Sequence, residues 1–378
     1  MSRIANSVLG AAALSAVMIL SPAATPNATA QTSQDLRIAL IDVEGGSAIL
    51  FVSPEGKSLL TDTGWPPGVG GGRGAPGAPP PPPAASSADK IVAAAHALGL
   101  TKIDYLISTH YHVDHMGGFQ ALMDKIEIDH FIDHGPNAEP APPNMNPNFA
   151  AFSTAKLYGD YLKRIAGKDH IVPKTGDTLD IGSMHLQFVS VAAQPLTAPL
   201  PGAGQPNPDC AGVQNMEKDG GAENHYSVST LITFGKTRIA QFGDLSWNEE
   251  IKLLCPTNKV GKVDVYFVTQ HGMDISSSPP TRALDPVVTI MGNGATKGGD
   301  KAPMEMVKSY PHIKDAFWML HEDVRFPDLD PNADYIANLN QVPDNNYVLA
   351  LAITPSGQIT VTNQRNKFSK TYRARGAN

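Results

Sequence analysis

The segment His110-Tyr111-His112-Val113-Asp114-His115 places four side chains able to bind metal within six positions. An apolar, strand-like stretch, Ile103-Asp104-Tyr105-Leu106-Ile107, leads into it, and Gly117-Gly118 follows. In extended chain, residues two apart point the same way, so His110 and His112 can share one ion. Asp114 and His115 lie past the bend and can reach a second ion at the two-metal spacing of about 3.5–4 Å. The two glycines let the backbone turn closely into a helix expected over Phe119–Lys125. A loop whose histidines merely meet solvent is the alternative. A strand feeding the run and a Gly-Gly leaving it favour a two-metal hydrolytic centre.

Strands are expected at Leu36–Val43, Ala48–Val52, Ser58–Asp62, Ile128–Ile132, Val228–Phe234, Thr237–Phe242, Val287–Met291, Ala316–Leu320, Tyr347–Ile353 and Gln358–Thr362, with turns such as Gly45-Gly46 between them. Leu179–Ile181 and Met184–Val189 read as a hairpin closing the first half, and the Pro- and Gly-rich Gln194–Val213 separates the halves. Helices are expected at Ala88–Leu98, Ala151–Ile165 and near Asn248–Leu254. Strands grouped with intervening helices in two similar halves suit an α/β fold of the αββα type: two mixed sheets face to face with helices outside. Between Pro66 and Pro83, 14 of 18 residues are Pro or Gly, which gives an insertion at 66–83 that cannot pack as an element.

The net charge of −7 and pI near 5.9 exclude a protein built to bind long nucleic acid through a cationic surface, and leave small phosphodiesters open because metal ions can supply positive charge. Arg3, the apolar Val8–Leu20 and Ala28-Thr29-Ala30 read as a signal peptide over residues 1–30, followed by one domain over 31–378. A stretch of thirteen residues falls short of the roughly 20 that span a bilayer. The expected product is periplasmic or secreted, without a membrane partner after cleavage. Cys210 and Cys255 are the two cysteines, both in loop-like surroundings beside proline, and spacing leaves their pairing open.

The run resembles the HxHxDH signature of the metallo-β-lactamase superfamily, and the chain resembles the competence-protein-like metallo-hydrolases within it. The family pattern calls for a further His, then an Asp after Gly, then a last His, each at a strand end. His225 in Glu223-Asn224-His225, Asp244 in Phe242-Gly243-Asp244, and His271 closing Val265-Tyr266-Phe267-Val268-Thr269-Gln270-His271 stand in that order. Two departures from the branch are visible: His225 stands where Asn or Ser is frequent, and Gln270-His271 where a His-His pair is frequent. The resemblance covers about residues 36–350.

That resemblance implies the metallo-β-lactamase fold and two divalent ions, zinc first and manganese as the alternative. His110, His112 and His225 would hold one ion, Asp114, His115 and His271 the other, with Asp244 bridging and Asp114 also orienting the attacking hydroxide. It implies a small-molecule substrate with an ester-type bond: phosphodiester, lactone or thioester. β-Lactam hydrolysis ranks lower because β-lactamases generally lack the bridging Asp, and a non-catalytic scaffold of the same fold is the reading from another class. His134 and His321, both at strand ends, are assigned ordinary hydrogen bonds ahead of substrate or proton-transfer roles. His96, His130, His170, His185 and His312 receive no role. The loop Gly292-Asn293-Gly294-Ala295-Thr296-Lys297-Gly298-Gly299 lacks the spacing of a nucleotide P-loop, and walls the pocket or simply turns the chain. A G-x-S-x-G elbow and a dinucleotide fingerprint are missing. Mature protein from its native host is expected to begin at or near Gln31. Intact-mass measurement finding Met1–Ala30 retained in a cytoplasmic fraction would contradict export.

Overall fold

Along the first strand of the fold, apolar side chains part to two sides. Leu36, Ile38 and Leu40 enter one core, and Ala39 and Ile41 another, as the two-residue period of extended chain demands. The computed structural model describes residues 34–69, 85–140, 150–339 and 347–377. The expected signal peptide and most of the 66–83 insertion lie outside them.

Six strands build most of the first sheet: β1 (Leu36–Leu40), β2 (Ile49–Val52), β3 (Ser58–Thr61), β4 (Lys102–Ile107), β5 (Glu127–Ile132) and β6 (Asp169–Ile171). The second sheet follows with β7 (Thr178–Ile181), β8 (Met184–Val191), β9 (Gln194–Pro195), β10 (Ser229–Phe234), β11 (Thr237–Gln241), β12 (Val265–Phe267), β13 (Val288–Met291), β14 (Phe317–His321) and β15 (Ile336–Asn338). The chain then returns to the first sheet with β16 (Leu349–Ile353), β17 (Gln358–Asn363) and β18 (Ser369–Arg373). The strand orders are β18-β17-β16-β1-β2-β3-β4-β5-β6 and β15-β14-β13-β12-β11-β10-β8-β7, with β9 on β8. Pairing is parallel along β3-β4-β5-β6 and β11-β12-β13-β14-β15 and antiparallel elsewhere.

Three buried clusters define the layers. One lies between the sheets, with Ile38, Phe51 and Leu59 from the first and Phe188, Ile239, Phe267 and Trp318 from the second. A second joins the outer face of the first sheet (Leu50, Leu60, Ile103, Phe131) to helices through Ile91, Phe119, Leu122 and Tyr161. A third joins the outer face of the second sheet (Leu231, Ala240, Tyr266, Met319) to Leu253, Leu254, Met304 and Val307. This is the αββα arrangement the strand pattern implied.

Several expected elements differ. The Leu179–Val189 hairpin opens the second sheet instead of closing the first half, and Tyr347–Thr362 returns to the first sheet, so the halves are interleaved at the C-terminus. The two-residue burial period is the same in either sheet, so it could not make that distinction. The strand expected to run to His271 ends at Phe267, and His271 lies in a 3-10 turn, Thr269–Gly272. His225 ends a short helix, Ala222–His225. Asp114 and His115 sit on a helical turn, Val113–Met116.

The glycine pair after the histidine run serves space, since Gly117 and Gly118 have helical backbone (φ −63° and −76°). A Cβ on Gly118 would lie 2.1 Å from the Thr63 carbonyl oxygen, and one on Gly117 2.2 Å from Pro66. Gly159, inside the helix Thr154–Arg164, has nothing within 4 Å of a Cβ. Chemical denaturation is therefore expected to show Gly118→Ala losing about 1–3 kcal/mol through overpacking, and Gly159→Ala gaining about 0.5–1 kcal/mol from the stiffer unfolded chain and better helix propensity. Equal changes in the two variants would refute the close-approach role of Gly118.

Candidate metal centre

The residues of the centre leave the ends of strands that each run parallel to at least one neighbour. β4 delivers the segment Ser108–His115, β11 delivers Asp244, β12 delivers His271, and β13 delivers Gly292. Side chains at the carboxyl ends of adjacent parallel strands converge on one crevice, the usual place for ligands in open α/β sheets.

Asp114, His115, Asp244 and His271 form one buried group whose ligand atoms lie within 4.8 Å of one another. His115 Nε2 is 3.2 Å from His271 Nε2, 3.3 Å from Asp244 Oδ2 and 3.4 Å from Asp114 Oδ2. His271 Nε2 is 3.3 Å from Asp114 Oδ2 and 3.6 Å from Asp244 Oδ1. A small cavity lined in part by Gly46, Ser47, Asp244, His271 and Gly292 adjoins the group.

The hydrogen-bond partners assign the ring protons. His115 Nδ1 is 2.7 Å from the Asp62 carboxylate, and His271 Nδ1 is 3.0 Å from the Gly292 carbonyl. Both partners only accept, so in a neutral ring each Nδ1 carries the proton and each Nε2 turns a lone pair into the cluster. His110 and His112 repeat the arrangement. The Thr109 hydroxyl donates to Asp62 at 2.9 Å, so it accepts from His110 Nδ1 at 3.1 Å. His112 Nε2 donates to Glu139 at 3.2 Å. His110 Nε2 and His112 Nδ1 are left facing each other at 3.0 Å, two lone pairs when both rings are neutral. Imidazoles fixed through one nitrogen by a carboxylate or carbonyl, with the other nitrogen presented, are what metal centres use to orient their ligands.

Burial would lower the His115 and His112 imidazoles, but neighbouring carboxylates outweigh it. Asp244, Asp62 and Asp114 hold His115 well above its ordinary value, and Glu139 and Asp114 raise His112. Without metal the cluster therefore draws a second proton onto these rings, in the place a metal ion would take. Burial pulls the His110 imidazole well below its ordinary value, keeping it neutral, and charges on His115 and His112 add to that. Burial alone would raise the Asp114 carboxyl; Lys297 and His115 outweigh it and hold Asp114 well below the usual carboxylate range. Asp244 is likewise pushed up by burial and held down by His115 and His271. Two buried carboxylates are thereby kept ionised.

His110, His112 and His225 lie outside that four-residue group, and His225 is engaged elsewhere. Its Nε2 is 2.9 Å from Asp219 Oδ1, and Asp219 is fixed in turn by the Ser246 hydroxyl at 3.0 Å and the Asn248 N–H at 2.9 Å. Among the described residues, no group of three ligand types contains His110, His112 or His225. His134 is buried, donates toward Glu223 at 3.1 Å and packs against Tyr111, which fits its ordinary reading. His321 is 2.8 Å from Asp42 and 3.9 Å from Glu44, a separate group in which Glu44 is part-exposed.

Supporting residues escaped the sequence reading because they come from distant segments. Asp62 ends β3 in a left-handed conformation (φ 61°) and holds both His115 and Thr109. Glu223 takes the Tyr111 N–H at 2.8 Å, and Glu139 takes the Glu223 N–H at 3.1 Å as well as His112. Glu250 takes the Thr269 hydroxyl at 2.6 Å and the Ser278 N–H at 2.7 Å, fastening both flanks of the His271 turn. Gln270 and His271 have left-handed backbone (φ 53° and 55°), a conformation that costs about 1–3 kcal/mol in a residue with a side chain. Hydrogen bonds from Gly299 N to His271 O at 3.0 Å and from Gln270 Nε2 to Asp244 O at 2.8 Å hold it. The signal for Lys297 was its place in the glycine-rich loop, where it was not singled out.

Similar solved structures include the metallo-beta-lactamase fold protein YhfI from Bacillus subtilis, at 13% identity, a TM-score of 0.41 and coverage of 75% of this chain and 94% of that one. CmlA, a diiron beta-hydroxylase from Streptomyces venezuelae, is similar at 15% identity and a TM-score of 0.35, over 68% of this chain and 44% of that one. A metallo-beta-lactamase with a HARLDQ motif from Cronobacter sakazakii is similar at 13% identity and a TM-score of 0.33, over 59% of this chain and 66% of that one. No curated protein matches by sequence. The family model of the metallo-beta-lactamase superfamily matches residues 41–257, more than half of the chain, with His110, His112, Asp114, His115, His225 and Asp244 inside that span, and the chain belongs to this superfamily.

Proposed function

We propose that the protein is a dinuclear metal-dependent hydrolase of ester-type bonds, with phosphodiesters, lactones and thioesters as the substrate classes. The observation that carries this reading is the buried convergence of Asp114, His115, Asp244 and His271, whose ligand atoms lie within 4.8 Å of one another. Beside it, His115 Nε2 meets His271 Nε2 at 3.2 Å and His110 Nε2 meets His112 Nδ1 at 3.0 Å. Ring nitrogens this close must share a proton or a metal ion, and the converging carboxylates favour either cation. The donor set fits divalent ions. It is made of imidazole and carboxylate without thiolate, since both cysteines are joined as Cys210–Cys255. Such a set suits zinc, manganese or iron, with zinc as the first expectation.

Asp114, His115, Asp244 and His271 would hold one ion. His110 and His112 would hold the other, with Asp244 available between the two. When bound, divalent ions lower the pKa of a coordinated water toward about 7 and polarise the oxygen under attack. The chain's own part is to keep Asp114 and Asp244 ionised, to hold His110 neutral, and to fix each imidazole through Asp62, Gly292, Thr109 or Glu139. Export is proposed with the same reading, and the Cys210–Cys255 disulfide fits an oxidising compartment. Among the described residues, no helix is long and apolar enough to cross a membrane.

His225 reaches this centre only by giving up Asp219, so the His110/His112 position has fewer ligands and should be the weaker. Graded dialysis against chelator, followed by elemental analysis, should show about two ions per chain falling through a plateau near one. Asp244→Ala should bind fewer ions than wild type at every step. Loss of both ions together, or a folded protein that never carries metal, would contradict the assignment.

Hydrolysis of bis-p-nitrophenyl phosphate, a lactone, a thioester and nitrocefin, with and without chelator, tests the reaction class. Chelator-sensitive turnover of at least one ester is expected, and turnover of nitrocefin alone would favour the β-lactamase reading. His225→Ala, compared with the exposed control His312→Ala, assigns the third histidine. A loss of activity and metal only in His225→Ala would show that His225 exchanges Asp219 for the ion. Equal behaviour of the two variants would confine it to Asp219.

A further inference from the structure

The loop that follows β13 is clamped between two turns of the centre. Gly294 packs on the Gly45 backbone so closely that a Cβ there would lie 2.9 Å from Gly45 Cα. Gly298 lies against the His271 turn, where a Cβ would lie 2.2 Å from the His271 carbonyl oxygen. The Gly294 N–H also closes on the Lys297 carbonyl at 2.8 Å. The stretch between those glycines can therefore move little, and it carries Lys297.

Lys297 points its ammonium at Asp114 Oδ2 and donates to the Gly45 carbonyl at 2.7 Å. It also lies 5.4 Å from the centre of the Trp65 ring, and Trp65 is tied by its Nε1–H to the Glu44 carbonyl at 3.1 Å. An ammonium has three N–H donors. Two are taken by Asp114 and Gly45, the third has no hydrogen-bond partner among the described residues, and the side chain is 29% exposed. Among the described residues, Lys297 is also the one lysine or arginine that pairs with a carboxylate of the Asp114–His115–Asp244–His271 group.

We propose that Lys297 is a specificity-determining residue that selects substrates carrying an oxyanion next to the bond to be cleaved, the non-bridging oxygen of a phosphodiester or a carboxylate close to an ester. The proposal rests on the hydrolase reading above. Asp114 can balance Lys297 only while its charge is free for that ammonium. An ion bound by the same carboxylate takes up part of that charge and leaves the ammonium's donors for an incoming anion. Trp65 and Gly45 keep it in place meanwhile, so its position does not depend on Asp114 alone. A neutral ester would gain nothing from a fixed cation there, while an oxyanion gains a charge-assisted hydrogen bond.

The test compares wild type, Lys297→Met and Lys297→Arg, each loaded with zinc and each with metal content measured. Substrates are bis-p-nitrophenyl phosphate, mono-p-nitrophenyl succinate and neutral p-nitrophenyl butyrate. Lys297→Met should lower the ratio of kcat/KM on an anionic substrate to that on the neutral one by at least about tenfold, and Lys297→Arg should restore most of it. A larger fall on the phosphodiester assigns the oxyanion to a phosphoryl group, and a larger fall on the succinate ester to a carboxylate. Equal falls on anionic and neutral esters, or loss of metal in Lys297→Met, would overturn the proposal and leave Lys297 as a support for Asp114. Calorimetric titration with inorganic phosphate separates this from the hydrolase reading. If wild type hydrolyses none of the esters, that reading fails. An at least tenfold weaker phosphate affinity in Lys297→Met then still supports the anion site, and unchanged affinity refutes it.

Discussion

Four imidazole nitrogens with nowhere else to turn govern this structure. His115 and His271 are each fixed through Nδ1, to Asp62 and to Gly292, and His110 and His112 are fixed through Thr109 and Glu139. Each fixation spends one ring proton on a partner outside the cluster, so the other nitrogen faces inward with a lone pair or with a proton that a metal ion would replace. Burying such nitrogens opposite one another, beside two ionised carboxylates, is costly unless cations are bound. Much of the surrounding structure keeps these rings in place: left-handed Asp62 at the end of β3, the strained Gln270-His271 turn under Glu250, and the Glu223–Glu139 pair beneath His112.

The sheets explain why the cluster can exist. β4 of the first sheet and β11, β12 and β13 of the second end beside one crevice, and the inter-sheet core of Leu40, Ile49, Phe267 and their neighbours forms the floor below it. Alternation along each strand commits one side to that core and the other to the helices. The polar ligands are left to the loops that leave the strand ends, where their conformations are free of the ladder.

The parts legible in the sequence were those governed by local spacing. His110 and His112 two apart, Asp114-His115 beyond a bend, and Asp244 after a strand and a glycine followed from periodicity and from a family resemblance. What stayed hidden was set by distant partners. His225 has the right neighbours in sequence, yet Asp219, six residues earlier, takes its Nε2. Asp62 and Lys297 lie 53 residues before and 183 residues after the side chains they hold, and nothing local marks either role. The left-handed turn at His271 was hidden because Val265–His271 reads as uninterrupted β-branched and aromatic chain.

Anomalous diffraction from crystals of the zinc-loaded protein tests the central claim most directly. The account predicts one strong peak enclosed by Asp114, His115, Asp244 and His271, and a weaker one within bonding distance of His110 Nε2 and His112 Nδ1. No peak at either position, with the four imidazoles instead turned to satisfy one another by hydrogen bonds, would contradict it.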